Sequence, residues 1–489
     1  MRRTIRPSAW ILVAAIAAVT GGASTGLAAA KIDWEKIDFV ANDGTSVRAD
    51  FGKLEVPERR ADPDTESIQL AMVRFRSTAD QPGAPIVFLA NGPGVAGVEF
   101  ARGNAFAAFT RLREVADVIV LDQRGVGLSQ PNLTCSQRLK IGAGKELTTE
   151  AYIAAFRKPL RDCVRTWQTR GVDVGGYTAA ESADDIEAIR DALGVDQINL
   201  WGHGFGTHLA IAVMRRHPGS VARAALHGVW GPDDTQKLPK SIYTSLRQFG
   251  RLVGKDAVVG GDVPDLVGSM ERITRQLERS PVRVMANDPF TGKARQVVVD
   301  AFLMAAIAAQ LVGETEDYPF VPQVVAGIER GGFDAVIGEA ALEVRGETIG
   351  NLVTWTMLCA SGTSDRRART IARQADDFFT ARLADTPFPD VCDEIPVDDL
   401  GQDFRSRLRS PVPTLLVSGT LDGQTPSSNA KALAKGLAES TDLKVVRGGH
   451  NDLLDADPAI AGAVANFFRG TPLGLRKINL PPIPFLPVS

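Results

Sequence analysis

The stretch Ile198-Asn199-Leu200-Trp201-Gly202-His203-Gly204-Phe205-Gly206-Thr207 decides how this chain folds. An apolar run enters three alternating glycines, and the residues from Thr207 to Arg216 have helical character before Pro218 stops them. The order predicts a buried strand, a tight turn and a helix, which is the layout of a nucleophile elbow. In the pattern G-x-S-x-G the outer glycines let the backbone fold back, and the central side chain is lifted to the top of the sheet. Here the central residue is Gly204, so the frame is present without its attacking oxygen.

Working outward, strand and helix signals alternate on both sides of the elbow. Pro85 to Ala90 and Ala116 to Leu121 are continuous apolar runs, as expected of central parallel strands covered on both faces. Thr178-Ala179-Ala180-Glu181 has capping-box spacing, and Ile186, Ile189 and Leu193 recur at helical intervals up to Gly194. Upstream, Asp33 to Arg76 alternates apolar and polar residues around turn signals, which predicts antiparallel strands opening the sheet. The βα rhythm returns at Thr414 to Gly419 and Leu443 to Val446, followed by a helix over 458–468. Between them, 231–396 is rich in helical runs such as Ala301 to Leu311 and poor in strand signals. The chain therefore divides into an α/β core with a mostly parallel sheet, 31–230 and 397–475, and a helical cap, 231–396. The Pro-rich tail 476–489 shows no periodicity and is expected to be extended.

Two residues complete the chemistry suggested by the elbow. Asp422 follows the strand ending at Gly419, and His450 follows the next strand, in the chain order nucleophile, acid, histidine. Both fall at the carboxyl ends of strands, where catalytic groups collect in such sheets. A lone Asp in a loop is usually a turn former and a lone His usually structural; order, spacing and position together point to an acid and a base. His203, His208, His217 and His227 cluster around the elbow and its helix, and His203 is the one best placed to line a pocket. Asp452 is too close in sequence to His450 to serve as its acid.

Composition narrows the partners. Among 489 residues, 55 are basic and 58 acidic, a net charge of -3 with no block of one sign, which gives no support to nucleic-acid binding. Arg2, Arg3 and Arg6 precede an apolar run from Ala9 to Val19, and Ala28-Ala29-Ala30 offers a cleavage site, so 1–30 reads as an export signal. The run is well short of the ~20 residues that span a bilayer, so no stable membrane anchor is expected. In an exported chain Cys135, Cys163, Cys359 and Cys392 are disulfide candidates, with three pairings open. No cysteine has a second Cys or His a few residues away, so no metal site is expected, and no cofactor either.

Gly92-Pro93-Gly94, Asp122-Gln123-Arg124-Gly125-Val126-Gly127-Leu128-Ser129, the elbow, Asp422 and Gly449-His450 together resemble the α/β-hydrolase family of proline iminopeptidases and tripeptidyl aminopeptidases. The resemblance spans nearly all of the chain after residue 30, including the cap and the four cysteines. It implies hydrolysis of small peptide, amide or ester substrates, with Asp422 as acid and His450 as base. It also implies an oxyanion hole from the Phe205 N–H and a second donor at Asn91-Gly92. Two departures stand out: Ala90-Asn91 replaces a usual His-Gly or Pro-Gly pair, and Gly204 replaces the serine.

Without an Oγ no acyl-enzyme forms. His450 is then expected to activate a water in the space left by the missing side chain, giving a residual ~10³ to 10⁴-fold over water. The alternatives are a pseudo-hydrolase binding peptides or small acyl compounds, or an enzyme using the Asp422–His450 dyad as a base without covalent catalysis.

Overall fold

The computed structural model describes residues 31–488 except 312–314, 376 and 379–384. The expected export signal, 1–30, lies outside the described residues. The strands are β1 (Asp33–Val40), β2 (Ser46–Pro57), β3 (Ser67–Phe75), β4 (Ile86–Leu89), β5 (Val118–Asp122), β6 (Ile198–His203), β7 (Val221–His227), β8 (Val282–Asn287), β9 (Ala294–Val299), β10 (Thr414–Gly419), β11 (Ser440–Val446) and β12 (Lys477–Asn479). Ten of them form one sheet in the order β1-β2-β3-β5-β4-β6-β7-β10-β11-β12. The first three run antiparallel to their neighbours, and β5, β4, β6, β7, β10, β11 and β12 are mutually parallel.

Burial explains why the central strands lack polar alternation. In β4 and β6 every residue is buried, because helices cover both faces of the sheet. Phe88, Trp201, Val417 and Val445 point into one core, against the helices Phe106–Leu112 and Pro458–Phe468. Val87, Leu200, Leu226 and Leu416 point into the other, against Ala179–Ala192 and Phe205–Arg216. Each such side chain contributes roughly 1.5–3 kcal/mol relative to an exposed one. The helix Ala179–Ala192 starts as its sequence predicts, with the Thr178 side chain accepting from the Glu181 N–H. The Glu181 carboxylate, however, accepts from the backbone and side chain of Arg60.

Two regions differ from the sequence expectation. The segment 231–396 is mainly helical but carries the antiparallel hairpin β8–β9, paired from Val282↔Val299 to Asn287↔Ala294. Val284, Ala286, Val297 and Val299 of the hairpin are buried in the cap's own core, against helices such as Leu266–Arg279 and Ala335–Arg345. The tail is extended, yet Lys477–Asn479 pairs in parallel with β11 as the tenth strand of the sheet. Ile478, Leu480 and Phe485 are buried, so three apolar residues too sparse to show a period anchor it.

The cysteines pair sequentially, Cys135 with Cys163 and Cys359 with Cys392. The first bridge ties the loop after β5 to the helix Thr149–Gln168, and the second ties the helix Leu352–Ser361 to the turn Cys392–Glu394. They close loops of 28 and 33 residues. Replacing Cys135 and Cys163 by serine is expected to cost about 3 kcal/mol in denaturant unfolding, and a cost below ~1 kcal/mol would contradict the loop-entropy argument.

Candidate active site

The site is built where four adjacent parallel strands end. The elbow leaves β6, Asp422 follows β10 and His450 follows β11, so strand order alone brings them to one edge. Gly204 has φ 53 and ψ -118, a conformation that L side chains rarely adopt. Its N–H donates to the His227 carbonyl at 2.9 Å, and its own carbonyl accepts from the Thr207 hydroxyl at 2.7 Å. The helix beginning at Phe205 then packs directly on β4: a Cβ on Gly206 would stand 2.0 Å from the Leu89 carbonyl oxygen. Only glycine admits that approach.

Asp422 and His450 meet as the sequence order requires. His450 Nδ1 lies 3.1 Å from Asp422 Oδ2 and 2.9 Å from Thr425 Oγ1, and the Thr425 hydroxyl donates to Asp422 Oδ2 at 2.6 Å. The Thr425 N–H also donates to Asp422 Oδ1, at 2.8 Å. Burial by itself raises the Asp422 carboxyl, but the neighbouring His450 and the bonds from His450 and Thr425 hold it below the ordinary range. Such a carboxylate stabilises the folded chain above the unfolded value and loses that contribution as pH falls through its depressed one. Nothing in the sequence singles out Thr425, although it stands three residues beyond the candidate acid in Asp422-Gly423-Gln424-Thr425.

The other histidines are structural. His203 stacks on His450 with ring centroids 4.9 Å apart, and its Nε2 donates to the His450 carbonyl at 3.0 Å. It supports the candidate base from beneath. His208 and His227 are buried and hydrogen-bonded through both ring nitrogens. Asp452 accepts from the Gly449 N–H at 2.7 Å, a turn-forming role.

The space facing Gly204 holds the side chain of Asn91. Asn91 Oδ1 accepts from the Gly92 N–H at 2.7 Å and from the Phe205 N–H at 3.4 Å, and it lies 3.2 Å from His450 Nε2. Those two N–H groups are the donors expected to form the oxyanion hole. Because both face the same atom, that atom is the carboxamide oxygen rather than its nitrogen. A Cβ placed on Gly204 would stand 1.8 Å from it and 2.8 Å from His450 Nε2. The expectation of a water activated in the space beside Gly204 is therefore corrected: an oxygen of the protein fills that space. A carboxamide oxygen only accepts, so the contact is a hydrogen bond only when His450 Nε2 carries a proton, the state in which that nitrogen is no general base.

The segment 231–396 is tied to the loops that follow β4 and β5. The Thr354 hydroxyl, on the helix Leu352–Ser361, donates to the Pro93 carbonyl at 2.8 Å, and Asn351 Nδ2 donates to the Gly125 carbonyl at 2.9 Å. Asn91 remains only half-buried. Among the described residues no group of His, Cys, Asp and Glu is arranged to hold a metal ion.

Comparison with known proteins bears on the fold that carries these residues. A family model described as alpha/beta hydrolase fold matches residues 85–261, which contain β4, the elbow and its helix. The chain has the α/β-hydrolase fold. A second model, described as TAP-like protein, matches residues 376–473, which contain Asp422 and His450. YuaR of Escherichia coli (strain K12) is 23% identical over 451 residues, 83% of this chain and 84% of that protein. Serine protease Hip1 of Mycobacterium tuberculosis (strain ATCC 25618 / H37Rv) is 29% identical over 37% of this chain and 36% of its own length. Tripeptidyl aminopeptidase of Streptomyces lividans is 29% identical over 42% of this chain and 39% of its own. This α/β-hydrolase is thus related to tripeptidyl aminopeptidases and to Hip1, through little more than a third of the length of each.

Proposed function

We propose that this α/β-hydrolase is exported and binds short peptides or small acyl compounds at the Gly204 site without forming an acyl-enzyme. The observation that carries the reading is the pairing of Gly204 with the Asn91 carboxamide, which leaves neither a nucleophile nor an open oxyanion hole. The names of the peptidase relatives support peptides as the ligand class, and the cap above the oxyanion loop favours small ones. Export is supported by the two disulfides, which persist in oxidising compartments, and by the amino-terminal pattern of the sequence. No helix among the described residues is long and apolar enough to cross a membrane.

Chromogenic aminoacyl amides and esters, together with calorimetric titration of di- and tripeptides, test this. The expected result is measurable peptide binding, with turnover at most ~10³ to 10⁴-fold above the uncatalysed rate. Burst kinetics from an accumulating acyl-enzyme, or no binding of any peptide, would overturn it. A second reading, slow hydrolysis with His450 as general base once a ligand has displaced Asn91 Oδ1 from Nε2, is favoured by the Asp422–Thr425–His450 array. It requires His450→Ala to abolish whatever turnover is found.

A further inference from the structure

The elbow lacks a side chain and the neighbouring loop bears one, and both facts concern the same volume. At 1.8 Å from a Cβ on residue 204, Asn91 Oδ1 would have to leave its place for any side chain there. The same oxygen takes the hydrogen bonds of Phe205 N–H and Gly92 N–H, and it meets His450 Nε2. It therefore has three of the contacts that an acyl oxygen or a nucleophile would make in a working site of this fold. We propose that Asn91 is a built-in ligand of the oxyanion hole, exclusive with a side chain at position 204, and that it selects ligands carrying a carboxylate or carbonyl oxygen able to displace it. The inference deepens the binding role proposed above and rests on it.

The claim separates two views of the site. If Gly204 alone silences the chemistry, restoring serine restores it. If Asn91 holds the centre, serine alone leaves an obstructed hole, with the serine side chain and the carboxamide competing for one position. Removing the carboxamide alone frees the Phe205, Gly92 and His450 donors for an incoming anion. The half-buried position of Asn91 lets such a ligand reach it.

Four proteins decide the matter: the chain as it stands, Gly204→Ser, Asn91→Gly, and the double variant. Each is treated with an alkyl fluorophosphonate and, separately, titrated with butyrate. In the labelling step the serine Oγ–phosphorus bond forms as the phosphorus–fluorine bond breaks; fluoride leaves and the hydroxyl proton passes to His450. The double variant is expected to label, and Gly204→Ser alone at least ~10²-fold more slowly, the scale of losing one oxyanion-hole donor. Butyrate is expected to bind Asn91→Gly at least about tenfold more tightly than the unaltered chain. Equal labelling of the single and double serine variants would overturn the proposal, as would no labelling of a folded double variant, or butyrate affinity unchanged by Asn91→Gly. Should glycine loosen the loop, Asn91→Ala keeps the existing Cβ and removes only the carboxamide. Burst turnover by the unaltered chain would instead sink the parent reading, so the two failures are distinguishable.

Discussion

Acidification from pH 6.5 towards pH 4 is expected to strip the fold of stability at up to about 4 kcal/mol per pH unit, because three histidines are held neutral inside it. Burial pushes the His203 imidazole down to about 3, and His208 and His227 down to about 4, from an ordinary value of 6.5. The hydrogen bonds show why protonation is resisted. His227 Nε2 accepts from Trp201 Nε1–H at 3.1 Å while Nδ1 donates to the Leu453 carbonyl at 2.7 Å. His208 Nδ1 donates to the Gly231 carbonyl and Nε2 accepts from the Ser361 hydroxyl, both at 3.1 Å. An added proton would break one bond in each ring. His203 Nδ1 is buried with no hydrogen-bond partner, so a charge there would be unsolvated.

The sign follows from which state binds the protons. Each folded value lies below the unfolded one, so the unfolded chain protonates first, and stability falls with pH from 6.5 down to the folded value. Asp122, Asp234, Glu347 and Asp455, whose carboxyls burial raises, take protons in the folded state first and oppose the loss near its acid end. Urea midpoints measured from pH 7 to pH 4.5 provide the check. A flat profile down to pH 5 would mean that these rings are not buried neutral.

How much of this was legible in advance depends on the range of the interactions involved. Strand β6, the elbow and the helix Phe205–Arg216 are coded locally, by an apolar run, glycines at fixed spacing and helical periodicity, and they could be read directly. Asp422 and His450 could be read because parallel strands deliver their trailing loops to one edge whatever their separation in the chain. The hairpin β8–β9 was not legible: with Met285 exposed and charged residues such as Arg283 and Arg295 among its polar positions, its short strands resemble loop. Strand β12 is not legible either, because an edge strand of three residues has too little pattern to show. Asn91 was visible as a departure from the family pattern, but its meaning was not. Nothing local indicates that its oxygen turns back to Gly92 and reaches Phe205, 114 positions away.

Asp185→Ala is expected to cost about 3–5 kcal/mol, the penalty for leaving a buried charge without its partner. The charge losing its close partner would be Arg124, whose side chain is fully buried opposite an Asp185 carboxylate that is 2% exposed; Glu181 stands 3.7 Å from it and is already paired with Arg60, which also loses Asp185. Arg124 Nε and Nη2 donate to the two Asp185 oxygens at 2.7 and 2.6 Å, a fork that lysine could not reproduce. Its remaining donors reach the Glu58, Gly176 and Pro57 carbonyls at 2.5, 2.6 and 3.2 Å, so one guanidinium joins the end of β2, the turn Val174–Gly176 and the helix Ala179–Ala192. Asp122, in the same motif, receives the Val98 and Leu128 N–H groups, each at 2.8 Å. In Asp122-Gln123-Arg124-Gly125, then, both charged residues shape the loop rather than act on a ligand. Because Asn351 hangs the cap from the Gly125 carbonyl beside this buried charge, the loss should reach the site as well as the fold. Arg124→Met with Asp185→Leu removes both charges and should cost much less than Asp185→Ala alone. A double-mutant cycle by denaturant unfolding measures the difference, and additive losses would show that the two side chains are not coupled.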